Sequence, residues 1–163
     1  MNEEFIQMLV GFHRQENRAA LAMLRRGLGK QPGEAMEVYR YIGNFAANTK
    51  SKTHETALHT VATLFGLYPS LSREGNQYES NLGASVSELS ANANSDSIEK
   101  RFVALLDAHS DDLPNHLRQV VGLLKANEVK INWLQLLNDI NWWDSDGRDV
   151  QRRWAKSFQW KQK

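Results

Sequence analysis

Apolar residues recur every three or four positions along almost the whole chain, and this spacing restricts the fold to packed amphipathic helices. The first such segment carries Phe5, Met8, Leu9 and Phe12. No convincing run of the alternating apolar and polar residues typical of a half-buried strand occurs in the sequence. The pattern therefore predicts an all-α protein.

Glycine and proline divide this pattern into two groups of about four helical segments. Gly27 and Gly29 end the second segment, and Pro69 ends the fourth. Residues 70–97 are rich in Ser, Asn, Gly, Gln and Glu, a composition typical of a polar connector that carries one short helix. We therefore predict two small helical bundles, an N-terminal bundle with its connector (residues 1–80) and a C-terminal bundle (residues 81–163).

The composition indicates a globular chain that folds in water. Hydrophobic residues make up 41% of the 163 residues and charged residues 24%, and no stretch approaches the ~20 consecutive apolar residues of a membrane-spanning helix. The first residues are acidic, whereas a secretory signal would be basic, so we expect a cytoplasmic protein without membrane contact. The absence of cysteine excludes disulfides, thiolate zinc sites and a cysteine nucleophile.

Charge is unevenly distributed, although the formal net charge is only +1. Residues 14–52 carry eight cations against three carboxylates, whereas residues 53–117 carry nine carboxylates against three cations. The rest of the chain returns to excess positive charge. Two basic ends therefore flank an acidic middle.

Motifs that would indicate catalysis or metal binding are incomplete. His54, Glu55 and His59 resemble a zinc-protease signature, but the two histidines are five residues apart and so point about 140° apart around a helix. The run from Gly27 to Lys30 resembles part of a phosphate loop, but it lacks the upstream glycine and the following Ser or Thr. We therefore predict no catalytic residue, no metal site, no cofactor and no small-molecule substrate.

Arginines near the N-terminus form the strongest candidate binding surface. Arg14, Arg18 and Arg25 are four and seven residues apart, which predicts that they line one side of the first two helical segments, with Arg26 beside them. Only Glu16 lies among them, whereas a merely solvated face usually mixes both signs. Guanidinium groups bind phosphate through charge-assisted, often bidentate hydrogen bonds. The spacing alone leaves nucleic-acid binding, a solvated face and a subunit-docking face open.

A second basic surface is expected in the C-terminal half. Arg118 and Lys125 are seven residues apart on one helix, opposite its apolar stripe. Lys100 and Arg101 adjoin the apolar positions of the preceding helix. These four cations extend the predicted binding surface beyond the N-terminal arginines.

Two adjacent tryptophans allow two interpretations. Trp142 and Trp143 precede an acidic turn, where their rings would be free to stack on nucleic-acid bases. Tryptophans at helical spacing from Trp133 more often fill a core or a subunit contact, and we prefer that interpretation.

Several short motifs occur in order along the chain. The run RAALAMLRRG occupies residues 18–27, and a C-terminal block contains Ile131-Asn132-Trp133, Trp142-Trp143 and Arg153-Trp154. Between them lie Leu82-Gly83, Lys100-Arg101-Phe102 and Leu117-Arg118. In this order the motifs resemble the CasB family, the small subunit of the type I-E CRISPR Cascade complex, over nearly the whole chain.

The resemblance implies a two-lobed, non-catalytic helical protein that is present as two copies in the crRNA-bearing complex. Its partners would be the other Cascade subunits, a second copy of itself, the crRNA–target heteroduplex and the displaced single-stranded DNA. The subunit would stabilise the R-loop while a separate nuclease-helicase cuts the DNA. Arg25 and Arg26 match the paired arginines of the family signature, and Arg101 and Arg118 match basic positions of its second lobe.

The predicted nucleic-acid-binding residues are all cations of the basic segments described above. They are Arg14, Arg18, Arg25, Arg26, Lys50, Lys52, Lys100, Arg101, Arg118 and Lys125. The acidic middle departs from the family pattern, because Asp107, Asp111 and Asp112 narrow a continuous basic path.

Two other functions remain open at this point. A structural adaptor would use the same basic faces to dock acidic proteins without touching nucleic acid. A helical hydrolase is disfavoured, because no constellation of carboxylates or metal ligands supports one.

Overall fold

Nine α-helices and one turn of 3₁₀ helix build the fold in a computed structural model, which describes residues 1–93 and 95–162. The helices are α1 (Asn2–Arg14), α2 (Arg18–Arg25), α3 (Tyr39–Ala47), α4 (Lys52–Leu67), α5 (Leu82–Asn92), α6 (Ser95–Leu106), α7 (Leu113–Ala126), α8 (Trp133–Asn141) and α9 (Asp149–Ser157), and the 3₁₀ turn (Met36–Val38) precedes α3. No strand occurs in these residues, so the predicted all-α fold is confirmed. None of these helices is long and apolar enough to cross a bilayer.

Side-chain caps fix where several helices begin. Asn17 accepts a backbone hydrogen bond of 3.1 Å at the start of α2, and Ser51 accepts one of 3.2 Å at the start of α4. Asn81 and Asn132 make the same kind of contact for α5 and α8. Each cap satisfies a backbone donor that the helix leaves free and typically contributes about 1 kcal/mol. The caps thereby fix the helix registers and the directions of the side chains that the helices carry.

Helix α4 is the centre of the N-terminal half. Residues 57–66 are buried without interruption, because α2, α3, α7 and α8 all pack against this helix. Helix α2 approaches closely because Gly66 has no side chain: a Cβ there would lie 2.6 Å from the backbone nitrogen of Arg25. This close packing positions Arg25 and Arg26 at the end of α2.

The segment predicted to be a polar connector contains a longer and more deeply buried helix than expected. Residues 70–81 have no regular helix, but α5 packs against α6, α7 and α9. Gly83 lets α9 approach so closely that a Cβ there would lie 2.2 Å from the carbonyl oxygen of Trp154. The hydroxyl of Ser85 is buried too, and it donates to the carbonyl of Lys130 at 2.8 Å. Because α5 packs partly through small and polar residues, its hydrophobic pattern is weak in the sequence.

One apolar core runs through both halves of the chain. Helix α4 packs against α7 and α8, and α1 also packs against α8. Phe65 of α4 meets Trp133 of α8 edge to face, with ring centroids 5.2 Å apart. Such aromatic pairs contribute about 1 kcal/mol beyond their burial. The division into bundles at residues 1–80 and 81–163 stays a prediction, because helices on both sides of it share this core.

Candidate nucleic-acid interface

The ten predicted binding residues are all exposed, and none of them forms an ion pair with a described residue. They are Arg14, Arg18, Arg25, Arg26, Lys50, Lys52, Lys100, Arg101, Arg118 and Lys125. In residues 1–93 and 95–162, the four basic side chains that lie within 4.0 Å of a carboxylate are Arg73, His109, Arg152 and Arg153. The ten cations are therefore free to meet an anionic partner.

The fold interrupts the arginine stripe that the spacing predicts along the first two helices. α1 ends at Arg14 and α2 begins at Arg18, and Glu16 between them has a φ of 52°, outside the helical range. Arg18 and Arg25 share a face of α2, because seven residues make nearly two full turns. Arg14 instead lines a separate cleft of about 890 Å³. The other charged residues of that cleft are Arg73, Glu74, Glu88, Glu128 and Lys130. The spacing argument therefore holds for Arg18 and Arg25 but not for Arg14.

Two cations belong to the segment that ends α2 and the loop after it, and a third approaches this loop from the other half of the chain. Arg26 caps the helix and Lys30 follows four residues later, while Arg118 arrives from α7. A Cβ on Gly29 would lie 3.1 Å from Nη1 of Arg118, so the guanidinium lies against this glycine. The φ of Gly29 is +76°, a left-handed conformation that glycine adopts at low cost. Lys30 is not among the ten residues predicted from the sequence, although its position after the paired arginines and Gly-Leu-Gly could have indicated a binding role.

Lys52 belongs to a neighbouring cleft of about 200 Å³ between α4 and the start of α7. This cleft and the smaller cleft that Lys30 and Arg118 line share Thr56, Thr60, Asp111 and Pro114. The two clefts therefore adjoin, with cations at both ends. Asp111 lines both clefts. This carboxylate is one of the three that were expected from the sequence to narrow the basic path.

The remaining predicted cations lie elsewhere on the surface. Lys50 precedes α4, and Lys100 and Arg101 lie on the exposed side of α6. Lys125 lies in the last turn of α7, about 10 Å along the helix from Arg118 and on the same face. None of these four residues lines the Lys52 cleft or the Arg118 cleft.

The two adjacent tryptophans have different environments. Trp143 is 3% exposed, donates from Nε1 to the carbonyl of Ala108 at 2.9 Å and packs against Trp154. Trp142 is 66% exposed. The core interpretation therefore holds for Trp143, while Trp142 is available to a partner.

The two buried histidines of α4 belong to no cluster of potential metal ligands in the part of the chain that the structure describes. His54 Nε2 lies 3.1 Å from Oδ1 of Asn2, whereas Nε2 of His59 has no hydrogen-bond partner among the described residues. Burial lowers the pKa of both imidazoles, and for His59 the carboxylate of Glu55 partly opposes this effect. No group of three or more His, Asp or Glu side chains suited to a metal ion occurs in residues 1–93 and 95–162.

One buried carboxylate joins α8 to α9. Asp139 is 2% exposed and accepts hydrogen bonds of 2.8 Å from Gln135, Arg153 and Trp154. Burial raises the pKa of Asp139, while these donors favour its charged form. Because three donors within the chain hold this buried carboxylate, Asp139 links α8 to α9 and supports the fold.

These features define the chain as a small all-α protein whose surface carries unpaired cations from both halves. A family model for the CRISPR-associated protein Cse2 matches residues 20–158. The chain belongs to this Cse2 family, also called CasB, as its sequence motifs indicated.

Relatives of known sequence or structure support the same assignment. A CRISPR-associated protein Cse2 from Thermus thermophilus is 34% identical over 142 residues, which cover 86% of this chain and 78% of the relative. The crystal structure of a Cse2-family protein from the same species matches with a TM-score of 0.82, 32% identity and 96% coverage of both chains. A chain of a CRISPR RNA-guided surveillance complex matches with a TM-score of 0.80, 25% identity and coverage of 96% of this chain and 90% of that one.

Proposed function

We propose that this chain is a non-catalytic subunit of a CRISPR RNA-guided surveillance complex of the Cascade type, where it binds nucleic-acid backbone and stabilises the R-loop. Membership of the Cse2 family and the likeness to a chain of a surveillance complex support the subunit role. The observation that carries the nucleic-acid role is the group of Arg26, Lys30 and Arg118, which are exposed and unpaired around one loop. Their charge suits phosphate, and the group draws on both halves of the chain.

The energetics of an R-loop make such contacts consequential. The heteroduplex formed is about as stable as the DNA duplex that it replaces, so the exchange is nearly balanced. Each phosphate neutralised by a lysine or arginine releases counterions and strengthens binding without reading sequence. A few backbone contacts to the displaced strand or the heteroduplex therefore lengthen the life of the R-loop.

The rest of the surface serves the assembly in this proposal. Lys100, Arg101 and Lys125 form a second basic surface for nucleic acid, and other exposed faces contact neighbouring subunits and a second copy of the chain. Trp142 is a candidate for one of these contacts, because interfaces are enriched in exposed aromatic residues. The proposed role needs no cofactor, metal or small-molecule substrate and is exercised in the cytoplasm.

Charge reversal tests the role in nucleic-acid binding. We expect the triple variant Arg25→Glu, Arg26→Glu and Arg118→Glu to weaken target-DNA binding by the assembled complex. If three single-strand phosphate contacts are lost, the slope of log affinity against log salt concentration becomes shallower by about 2. The measurement is a filter-binding titration at several salt concentrations.

The matched control changes the net charge by the same amount at other exposed cations. Arg152→Glu, Lys156→Glu and Lys161→Glu lie on or after α9, outside the ten predicted residues, and we expect them to leave the salt slope unchanged. An unchanged affinity and slope in the first triple variant, with the subunit still in the complex, would contradict backbone binding.

The same variants test the adaptor alternative. An adaptor that docks acidic proteins through its basic faces predicts that charge reversal releases the subunit from the complex. Subunit occupancy, measured by gel filtration and densitometry, therefore accompanies every affinity measurement.

A nuclease assay with divalent metals tests the proposal that the subunit is not catalytic. Metal-dependent turnover by the purified chain would contradict it.

A further inference from the structure

A small, polar cleft lies beneath Arg118, between the loop after α2, the middle of α4 and the first turns of α7. Its volume is about 70 Å³, well above the ~10–15 Å³ that a cavity needs to hold one water molecule. The residues that line it and bear on its chemistry are Gly29, Lys30, His59, Thr63, Asp111 and Arg118. The cleft is too small for a base or a whole nucleotide, since drug-sized ligands occupy several hundred Å³.

A buried imidazole without a partner forms part of the cleft wall. His59 is only 3% exposed, and its Nε2 makes no hydrogen bond within residues 1–93 and 95–162. The neighbouring Thr63 hydroxyl is already used, because it donates to the carbonyl of Thr60 at 3.0 Å. Buried polar atoms of native proteins are nearly always hydrogen-bonded, so an unpaired one indicates a missing ligand or water.

The mouth of the cleft is cationic. Lys30 and Arg118 are exposed without ion pairs, and the guanidinium of Arg118 lies against Gly29. The backbone N–H of Gly29 makes no hydrogen bond within the part of the chain that the structure describes. The carboxylate in the cleft lining, Asp111, has a side chain that is 90% exposed and lies 3.6 Å from His109. Two cations, one free backbone N–H and the unpaired Nε2 of His59 are therefore available to an anion, with one carboxylate at the rim.

We propose that this cleft binds one phosphate group of a nucleic-acid strand, with Arg118 and Lys30 supplying the charge and Gly29 and His59 supplying neutral donors. The inference names the ligand of one part of the cationic surface and so rests on the proposed function. A phosphate suits the donors, because its several oxygens accept hydrogen bonds from different directions at once. Burial lowers the pKa of His59 and so favours the neutral ring, which donates to the phosphate when its proton is on Nε2.

Nuclear magnetic resonance of the histidine side chains tests the proposal in the purified chain. The probes are inorganic phosphate and a short oligothymidylate, titrated separately. We expect the oligonucleotide to move the His59 resonance and to raise the pKa of this imidazole, because a bound anion favours the protonated ring. Inorganic phosphate does the same at higher concentration. The charged groups that already influence or adjoin the ring are Glu55, Lys30, Arg118 and Asp111. The resonance of the buried His54, which lies outside the cleft, stays in place and shows that the fold is intact.

Neutral variants assign the effect to the cleft. We expect Arg118→Gln and Lys30→Gln each to weaken the binding that His59 reports by about tenfold, the loss typical of one charged hydrogen bond. Lys156→Gln is the matched control, because it removes an exposed cation of α9 that belongs neither to the ten predicted binding residues nor to the cleft lining. Equal effects of all three variants would overturn the proposal.

Two further outcomes would also overturn it. The oligonucleotide could bind the chain without moving the His59 resonance, or inorganic phosphate could move it while the oligonucleotide does not. Failure of the proposed function is measured separately with the double variant Arg25→Glu and Arg26→Glu, which leaves Arg118 and the rest of the cleft lining unchanged. An unchanged salt slope of the assembled complex in that variant would count against the proposed function and not against the cleft.

Discussion

At the scale of single residues, Trp142 and Trp143 show how neighbours in the sequence acquire separate roles. Trp143 is packed in the core with its N–H satisfied by Ala108, whereas Trp142 is largely exposed. The pair lies where α8 ends, and successive residues of a helix point about 100° apart, so only one of the two rings faces the core. Residue type alone does not distinguish the two, and the difference follows from the packing of Trp143 against Trp154.

Truncation of each tryptophan tests this difference. Trp143→Ala should lower the free energy of unfolding by about 3–5 kcal/mol, because it removes a buried ring and leaves a cavity. Trp142→Ala should change it by less than about 0.5 kcal/mol, as is usual for an exposed position. Urea denaturation of the two variants measures the contrast, and similar losses in both would contradict the assigned burial.

At the scale of elements, helix α4 organises the molecule, and glycine sets how closely α2 approaches it. Gly66→Ala would place a Cβ 2.6 Å from the backbone nitrogen of Arg25, so α2 must move away. We expect a loss of about 1–3 kcal/mol in the free energy of unfolding, despite the higher helix propensity of alanine. Thermal or urea unfolding reports it.

Gly122→Ala on α7 is the matched control for this substitution. A Cβ on Gly122 meets no atom within 4 Å, so the better helix propensity should stabilise the protein by about 0.5–1 kcal/mol. Opposite signs for the two Gly→Ala variants are therefore expected. A gain at Gly66 would show that α2 does not approach α4 as described.

The two buried histidines of α4 make stability depend on pH. Burial lowers the pKa of His54 and His59 in the folded protein, so below about pH 6.5 the unfolded chain binds more protons than the folded one. The stabilisation from the neutral rings is fully present above that pH and is lost as the pH falls through 6.5 toward the folded pKa values.

Urea denaturation at pH 7.5 and pH 5.5 measures this dependence. The double variant His54→Gln and His59→Gln should lose less stability between the two pH values than the parent chain. His109→Gln serves as a control, because that side chain is 70% exposed. A double variant with the parental pH dependence would contradict the account.

The sequence predicted some elements well and one poorly, for physical reasons. The fourth helical segment, which was expected to end at Pro69, is α4 (Lys52–Leu67), and its strong apolar stripe made it recognisable. Helix α5 lies within residues 70–97, which were expected to be a connector. It was not recognised as a long helix because Gly83 packs through its backbone and Ser85 through its hydroxyl, where large apolar side chains would have given a clear pattern. Such packing depends on the partner helix and leaves little hydrophobic periodicity.

At the scale of the whole molecule, the candidate surface depends on contacts between the two halves of the chain. The spacing of charges predicted exposed arginines on α2 and α7 separately. It gave no means of predicting that Arg118 reaches Gly29 and meets Lys30, because that proximity arises from the packing of α7 against α4. It also placed Arg14 with the α2 arginines, since the break at Glu16 is a backbone feature without a clear sequence signal.

The most direct test of the whole account is the lifetime of the R-loop formed by the matching crRNA complex, purified with and without this chain. The account predicts a shorter lifetime without the chain, recovery when the parent chain is added back, and no recovery with the Arg25, Arg26 and Arg118 reversals at equal occupancy. A lifetime that is the same with and without the chain would contradict its role in holding the R-loop.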